Sequence, residues 1–260
     1  MEFFPKIVNA WKAVNQLGPR QVGLYALYRL GLASGHYRRV TAQGETPTAV
    51  GELAAVLPLP QAADLERVLG EADRKALLAA ADEVCAGRVR LFGADPLPLQ
   101  LTCPAPLAHW TDYERGRVPL PLQGLPVADV KYLWEPARFG WAFLLGRAHH
   151  LSREARYVEA FWSRFEEFER SNPPGMGPHW MSGQEVALRL MAFIWAGQVF
   201  AASPASTPAR RARLAASVAA HAARIPPTLV YARSQHNNHL LTEAAGLLSA
   251  GLALPHAPQA

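Results

Sequence analysis

The stretch Arg153-Glu154-Ala155-Arg156-Tyr157-Val158-Glu159-Ala160-Phe161-Trp162-Ser163-Arg164-Phe165-Glu166-Glu167-Phe168-Glu169 decides the fold class. Tyr157, Phe161, Trp162, Phe165 and Phe168 recur about one helical turn apart, and acids and arginines fill the positions between them. That is one apolar stripe on an otherwise charged helix, and such a stripe must be buried against another element.

The neighbours on both sides are helical by the same test. Upstream, a helix opens with Pro136 in its first turn and runs to about His149. Downstream, Ser182-Gly183-Gln184-Glu185 reads as a capping box, followed by Val186, Leu190, Phe193 and Ile194. A further helix opens on Pro208. After the Pro226-Pro227 break the last begins near Asn237, continues through Leu240, Leu241, Ala244, Leu247 and Leu248, and fades near Gly251. Short connections without strands favour antiparallel helical hairpins, so the expected class is all-α. No fixed period repeats, which disfavours a solenoid with a readable code.

Towards the N-terminus the character changes. Prolines at 96, 98, 104, 106, 119, 121 and 126 forbid long helices across 88–128, although Val89-Arg90-Leu91-Phe92-Gly93 is compatible with one short strand. Trp110 and Tyr113 favour an ordered connector over a loose linker, because large aromatics are unfavourable in water. Residues 64–86 read as one helix carrying Leu65, Val68, Leu69, Ala72, Ala76, Leu77 and Ala80, stopped by Gly87. Two short helices precede it, one through Phe3, Phe4, Ile7, Val8, Trp11 and Val14, the other from Pro19 through Val22, Tyr25, Leu27, Tyr28 and Leu32. Without a lysine-rich flank they are expected to pack on the body rather than lie on a membrane. The expected division is N-terminal helices and Pro-rich connector over 1–128 and a helical array over 129–260.

Half of the 260 residues are hydrophobic, enough for a substantial core. The net charge of +5 suits an acidic partner. Only four of the basic residues are lysines, no block of like charge occurs, and no nucleic-acid docking motif is visible, so nucleic acid is not an expected partner. Cys85 and Cys103 are too few for a multi-disulfide scaffold or a four-cysteine zinc site. Met1-Glu2-Phe3-Phe4-Pro5-Lys6 leads into a stretch broken by Lys12, Asn15 and Arg20, which does not read as a secretion signal, and no uncharged apolar run is long enough for a membrane span. Phosphate loops, dinucleotide glycine motifs, His-Glu-x-x-His and Gly-x-Ser-x-Gly elbows are absent, so no cofactor is expected. Oligomeric state is not legible.

Three groups carry candidate chemistry. The first is Ser234-Gln235-His236-Asn237-Asn238-His239-Leu240-Leu241-Thr242-Glu243-Ala244, with amides and imidazoles gathered at a helix start. On a helical wheel Asn238, His239 and Thr242 fall opposite Leu240, Ala244, Leu247 and Leu248, and the free N–H groups there favour a bound carboxylate. The bland alternatives are that Asn237 or Asn238 is an N-cap and that His239 and Glu243 form a surface pair. His236 and His239 have metal-compatible spacing but no third ligand, so no metal is expected. The second group is Asp129, Lys131, Trp134, Glu135 and Arg138, which would stack on and pair with an anionic sugar or else hold an Arg138–Glu135 ion pair beside a core tryptophan. The third is the rigid turn from Asn172 to Ser182 that delivers Trp180 to a helix start, with Glu185 as capping acid or as partner of Arg189.

In order and spacing these blocks resemble the N-terminal domain of the heparinase II/III family of polysaccharide lyases. The blocks are Leu17-Gly18-Pro19-Arg20-Gln21-Val22 with Tyr28-Arg29-Leu30-Gly31-Leu32, Lys131-Tyr132-Leu133-Trp134-Glu135 with Arg138-Phe139, and Asn172-Pro173-Pro174 through Trp180. Glu185-Val186-Ala187-Leu188-Arg189 and the Asn237-Asn238-His239 stretch complete them. The resemblance implies an incomplete α/α toroid of antiparallel hairpins with a Pro-rich connector, continued in the family by further helices and a C-terminal β-sandwich. It implies β-elimination on an acidic, uronate-containing polysaccharide, in which Asn238 and His239 match the positions that neutralise the sugar carboxylate. Trp134, Glu135, Arg138, Trp180, Glu185, Arg189, His236 and Asn237 would line the substrate groove. The family's tyrosine acid or base and a later histidine would fall beyond Ala260, so the chain alone is expected to be inactive. A periplasmic or envelope location is implied, or a cytoplasmic one if no leader exists. The alternative is a non-catalytic helical module that binds polysaccharide or serves as a scaffold.

Overall fold

A computed structural model describes residues 18–42 and 51–254. The apolar stripe expected over Phe3 to Val14 lies outside the described residues. The fold is all-α, about 64% helical with almost no strand. Its helices are α1 (Pro19–Ala33), α2 (His36–Ala42), α3 (Ala62–Val68), α4 (Glu71–Cys85), α5 (Trp110–Glu114), α6 (Val130–Ala137), α7 (Ala142–Ser152), α8 (Ala155–Ser171), α9 (Gly183–Val199), α10 (Pro208–Arg224), α11 (Leu229–Gln235) and α12 (Asn238–Ala253). Two strands, β1 (Arg88–Val89) and β2 (Leu97–Pro98), pair antiparallel, with Arg88 opposite Pro98 and Val89 opposite Leu97.

Helix α9 is the axis of the packing. It is buried on several sides, through Val186, Ala187, Leu190, Ala192, Phe193, Ile194 and Ala196, because it touches α7, α10 and α12. The aromatic stripe of α8 is wholly interior: Phe161 and Phe165 meet Phe139, Phe193 and Phe200 in edge and tilted contacts. Two residues join α7 to α8, which pack on each other, and α4 packs on α7. The N-terminal α1 packs on α11 through Tyr28 and Tyr231, whose rings lie 4.7 Å apart.

Local signals place several helix ends. Thr207 caps α10 ahead of Pro208, and Ser182 Oγ accepts from the N–H of Glu185 at the start of α9. The Pro-rich connector is ordered around Trp110, which is wholly buried. Cys85 and Cys103 are free thiols.

Four expectations need correction. The helix expected over 64–86 is two, because Leu69 and Gly70 are extended and Gly70 starts a new N-terminus. Pro136 closes α6 instead of opening a helix: buried Phe139 turns the chain at φ 60°, and α7 begins at Ala142. The short run α11 was not foreseen at all. Finally, the helical wheel of α12 is turned: Glu243, Gly246, Ala250 and Ala253 are buried, whereas Leu241, Leu248 and Leu252 are 75%, 66% and 59% exposed. The cause is close approach to α9, for a Cβ on Gly246 would lie 2.8 Å from the Cβ of Ala187. Only small residues fit that contact, so the greasier side faces out.

Candidate functional site

The tip of α12 is built by a tight turn. His236 sits in the left-handed region at φ 49° and ends α11, and Asn237 then caps α12, its Oδ1 accepting from the N–H of His239 at 3.0 Å. Asn237 therefore takes the capping role. That frees the Asn238 side chain, which is exposed beside the unpaired N–H groups of the first turn. His239 is half-buried, and its ring meets the edge of Tyr231 at 6.3 Å. Burial lowers its basicity against the opposing pull of Glu185, so the imidazole is neutral near pH 7. The tip is open to solvent, with His236, Asn237 and Asn238 all exposed.

Glu185 lies beside this tip through its own ion pair. Arg138 donates to Glu185 from Nε at 2.6 Å and from Nη2 at 2.7 Å, and from Nη1 to Glu135. The bidentate geometry and near-complete burial of Glu185 make this a strong, directional contact between the end of α6 and the start of α9. Glu185 is accordingly neither the acid of a capping box nor the partner of Arg189. Trp134 is half-buried and fixes the same region, donating from Nε1 to the carbonyl of Pro178 at 3.0 Å.

Trp180 and Arg189 are not groove residues. Trp180 is 2% exposed and donates to the carbonyl of Asn172 at 3.2 Å. Arg189 is 1% exposed and donates to His221 Nε2 at 2.8 Å, the carbonyl of Ala137 at 3.0 Å and that of His179 at 2.9 Å. Both hold the interior together, and neither has surface left for a sugar. The structure thus brings Glu135, Arg138 and Glu185 together beside His239, with Trp134 anchored on the adjoining turn.

Several residues near the tip were not found by sequence reasoning. Arg224, 4% exposed, donates to the carbonyls of Trp180 at 3.0 Å and Met181 at 2.8 Å and to Thr228 Oγ1 at 2.8 Å, and lies 3.8 Å over the Trp110 ring. It fixes the turn from which α9 starts. Tyr25 and Tyr28 of α1 flank Tyr231, extending an aromatic wall from the buried side to the 43% exposed ring of Tyr25. Glu243, 1% exposed, abuts Gly183, and burial pushes its carboxyl up to about 7 although the Arg224 charge opposes the rise. The sequence offered Glu243 as one half of a surface pair with His239; it is instead interior, and no hydrogen bond joins the two side chains. No group of three metal-ligating side chains stands together among the described residues. No described helix is long and apolar enough to cross a membrane.

Helices stacked around a buried α9, with a polar helix start open at one end, define part of an α/α toroid whose candidate site is a helix tip. The chain belongs to the heparinase II/III family, whose profile, described as Heparinase II/III N-terminus, matches residues 112–260. No curated protein matches it. Among solved structures it is similar to heparan sulfate lyase HepC from Pedobacter heparinus, at 21% identity and a TM-score of 0.49, and to a mutant of that protein, at 20% and 0.50. In both cases 94% of this chain aligns with 33% of the other, so the chain spans a third of the length of the structures it matches. The likeness is one of fold.

Proposed function

We propose that this chain is the N-terminal part of a polysaccharide lyase that cleaves uronate-containing polysaccharide by β-elimination. The observation that carries the reading is the exposed Asn238 amide beside the half-buried His239 at the free N–H end of α12, in a chain of this family. In the reaction a base takes the C5 proton, the electron pair forms the C4=C5 bond, the C4–O4 bond breaks, and O4 takes up a proton as the sugar leaves. The C5 proton is weakly acidic while the adjacent carboxylate is charged. Donors aimed at that carboxylate stabilise the enolate-like transition state, and Asn238 and His239 supply them. The groups that move the protons are expected on later helices, so the chain alone is inactive on this reading. Heparan-like, alginate-like and bacterial exopolysaccharide substrates all carry the required uronate, and a periplasmic or envelope location suits them.

The test is to assay a C-terminally extended protein on these polyuronates by the ultraviolet absorbance of the unsaturated product. Asn238→Ala and His239→Ala are each expected to lower turnover by about 100-fold at unchanged thermal stability. Variants as active as the parent reject the assignment. An extended protein that binds polyuronate yet makes no unsaturated ends is instead a non-catalytic binding module.

A further inference from the structure

Helix α12 carries two buried polar atoms that have no hydrogen-bond partner, Nδ1 of His239 and Oε2 of Glu243. The residues are four apart, hence one turn apart on the same side of the helix. The groups facing them are committed elsewhere. From α9, Gly183 lies against the carboxyl, where a Cβ would come within 2.7 Å of Oε1, and Glu185 is engaged by Arg138. From α10, Arg224 gives its donors to two carbonyls and to Thr228, and acts on Glu243 only through its charge, which opposes the rise of the carboxyl. From α11, Tyr231 presents its ring to His239.

An ionised carboxylate here would be a buried charge without a partner, which is strongly unfavourable, whereas a protonated carboxyl is a donor. An imidazole Nδ1 without its proton is an acceptor. The two atoms do not bond each other directly, but one water between them, accepting from the carboxyl and donating to Nδ1, resolves both.

We propose that Glu243 is a positioning residue whose protonated carboxyl donates from Oε2 to His239 Nδ1 through one bridging water, and so keeps the imidazole proton on Nε2. Nε2–H is then the donor offered to a substrate carboxylate; that last step rests on the function proposed above, while the tautomer does not. Burial raises the Glu243 carboxyl to about 7 and makes His239 less basic than an ordinary histidine, so the two shifts favour the neutral form of both groups on the acid side of pH 7. Once Glu243 ionises it accepts from that water, which in turn accepts from Nδ1–H. Nε2 then presents a lone pair, which repels an incoming carboxylate.

The experiment is long-range proton–nitrogen NMR of the 260-residue chain, with the His239 ring assigned by its loss in His239→Gln. The parent is expected to show the Nε2–H tautomer near pH 6 and to shift towards Nδ1–H near pH 8.5. Glu243→Gln, whose amide still donates, is expected to hold Nε2–H at both, and Glu243→Ala to give mixed tautomers. Identical His239 nitrogen shifts in the parent and Glu243→Gln at both pH values overturn the proposal, and that comparison decides even if the alanine variant does not fold. Lyase assays separate this result from the proposed function. An Nε2–H tautomer governed by Glu243 in an extended protein without lyase activity leaves the positioning role standing and removes the reaction. A loss of activity in His239→Ala with a tautomer indifferent to Glu243 does the reverse.

Discussion

Replacing Arg189 by methionine tests whether this arginine is a structural pin instead of a substrate contact. Its three hydrogen bonds tie α9 to His221 on α10, to the Ala137 carbonyl ending α6, and to the His179 carbonyl in the turn before α9. His221 completes the arrangement: its Nδ1 faces the Ser217 carbonyl at 2.7 Å, which leaves Nε2 as the acceptor for Arg189. Burial, aided by the Arg189 charge, pushes His221 well below its ordinary basicity, so the ring stays neutral. Methionine fills much of the stem volume but strands three buried acceptors, each worth about 1–3 kcal/mol. Against that, the variant no longer buries a guanidinium that lacks a carboxylate partner, a relief of several kcal/mol. The net expectation is a loss of about 3 kcal/mol, or about 6–12 °C in melting temperature at this size. Thermal and urea unfolding followed by circular dichroism measures it. An Arg189→Met protein that melts with the parent but no longer binds polyuronate would refute the structural role.

Further expectations follow from burial and charge. Gly246→Val pushes a branched side chain into Ala187 and is expected to destabilise by about 1–3 kcal/mol in urea unfolding, whereas Leu248→Gln, on the exposed side of the same helix, changes stability by no more than about 0.5 kcal/mol. The opposite ranking would show that the orientation of α12 is wrong. For Glu243 the folded carboxyl sits at about 7 against 4.5 when free, so its contribution to stability is full below 4.5 and is lost as pH rises through about 7. Glu243→Gln removes that dependence. It is expected to match the parent near pH 4 and to exceed it by up to about 3 kcal/mol near pH 8.5, and equal denaturation midpoints at the higher pH would count against a raised carboxyl.

Where sequence predicted the fold well, the deciding physics was local. The α8 stripe needs only period and side-chain size: Tyr157, Phe161, Trp162, Phe165 and Phe168 are all within 1% of full burial. Ser182 and Pro208 act within one turn of themselves and mark their helix starts correctly. The failures come from contacts made across the chain. Phe139 accepts a positive φ because its ring is locked among Trp141, Phe161, Phe168 and Phe193, and no local pattern reveals that. On α12, hydrophobicity points to the leucines, but the close crossing with α9 selects Gly246 and Ala250, so packing distance overrides transfer free energy.

The candidate site was legible in its polar tip and illegible in its charge balance. Asn237, Asn238 and His239 stand out at a helix start whatever surrounds them. Arg138 shows only Glu135 as a local partner, while the bidentate acid, Glu185, arrives from 47 residues away. Arg233 in the last turn of α11 is exposed, while one guanidinium shared by two carboxylates leaves an excess negative charge beside His239. A second carboxylate brought there is repelled unless neutral donors point at it. On the proposed reading those donors are the amide of Asn238, the first-turn N–H groups and one imidazole nitrogen, and only the last can be turned from donor to acceptor by moving a proton. The protonation of Glu243, a turn deeper in the same helix, is then what sets the sign of the field that a bound uronate feels.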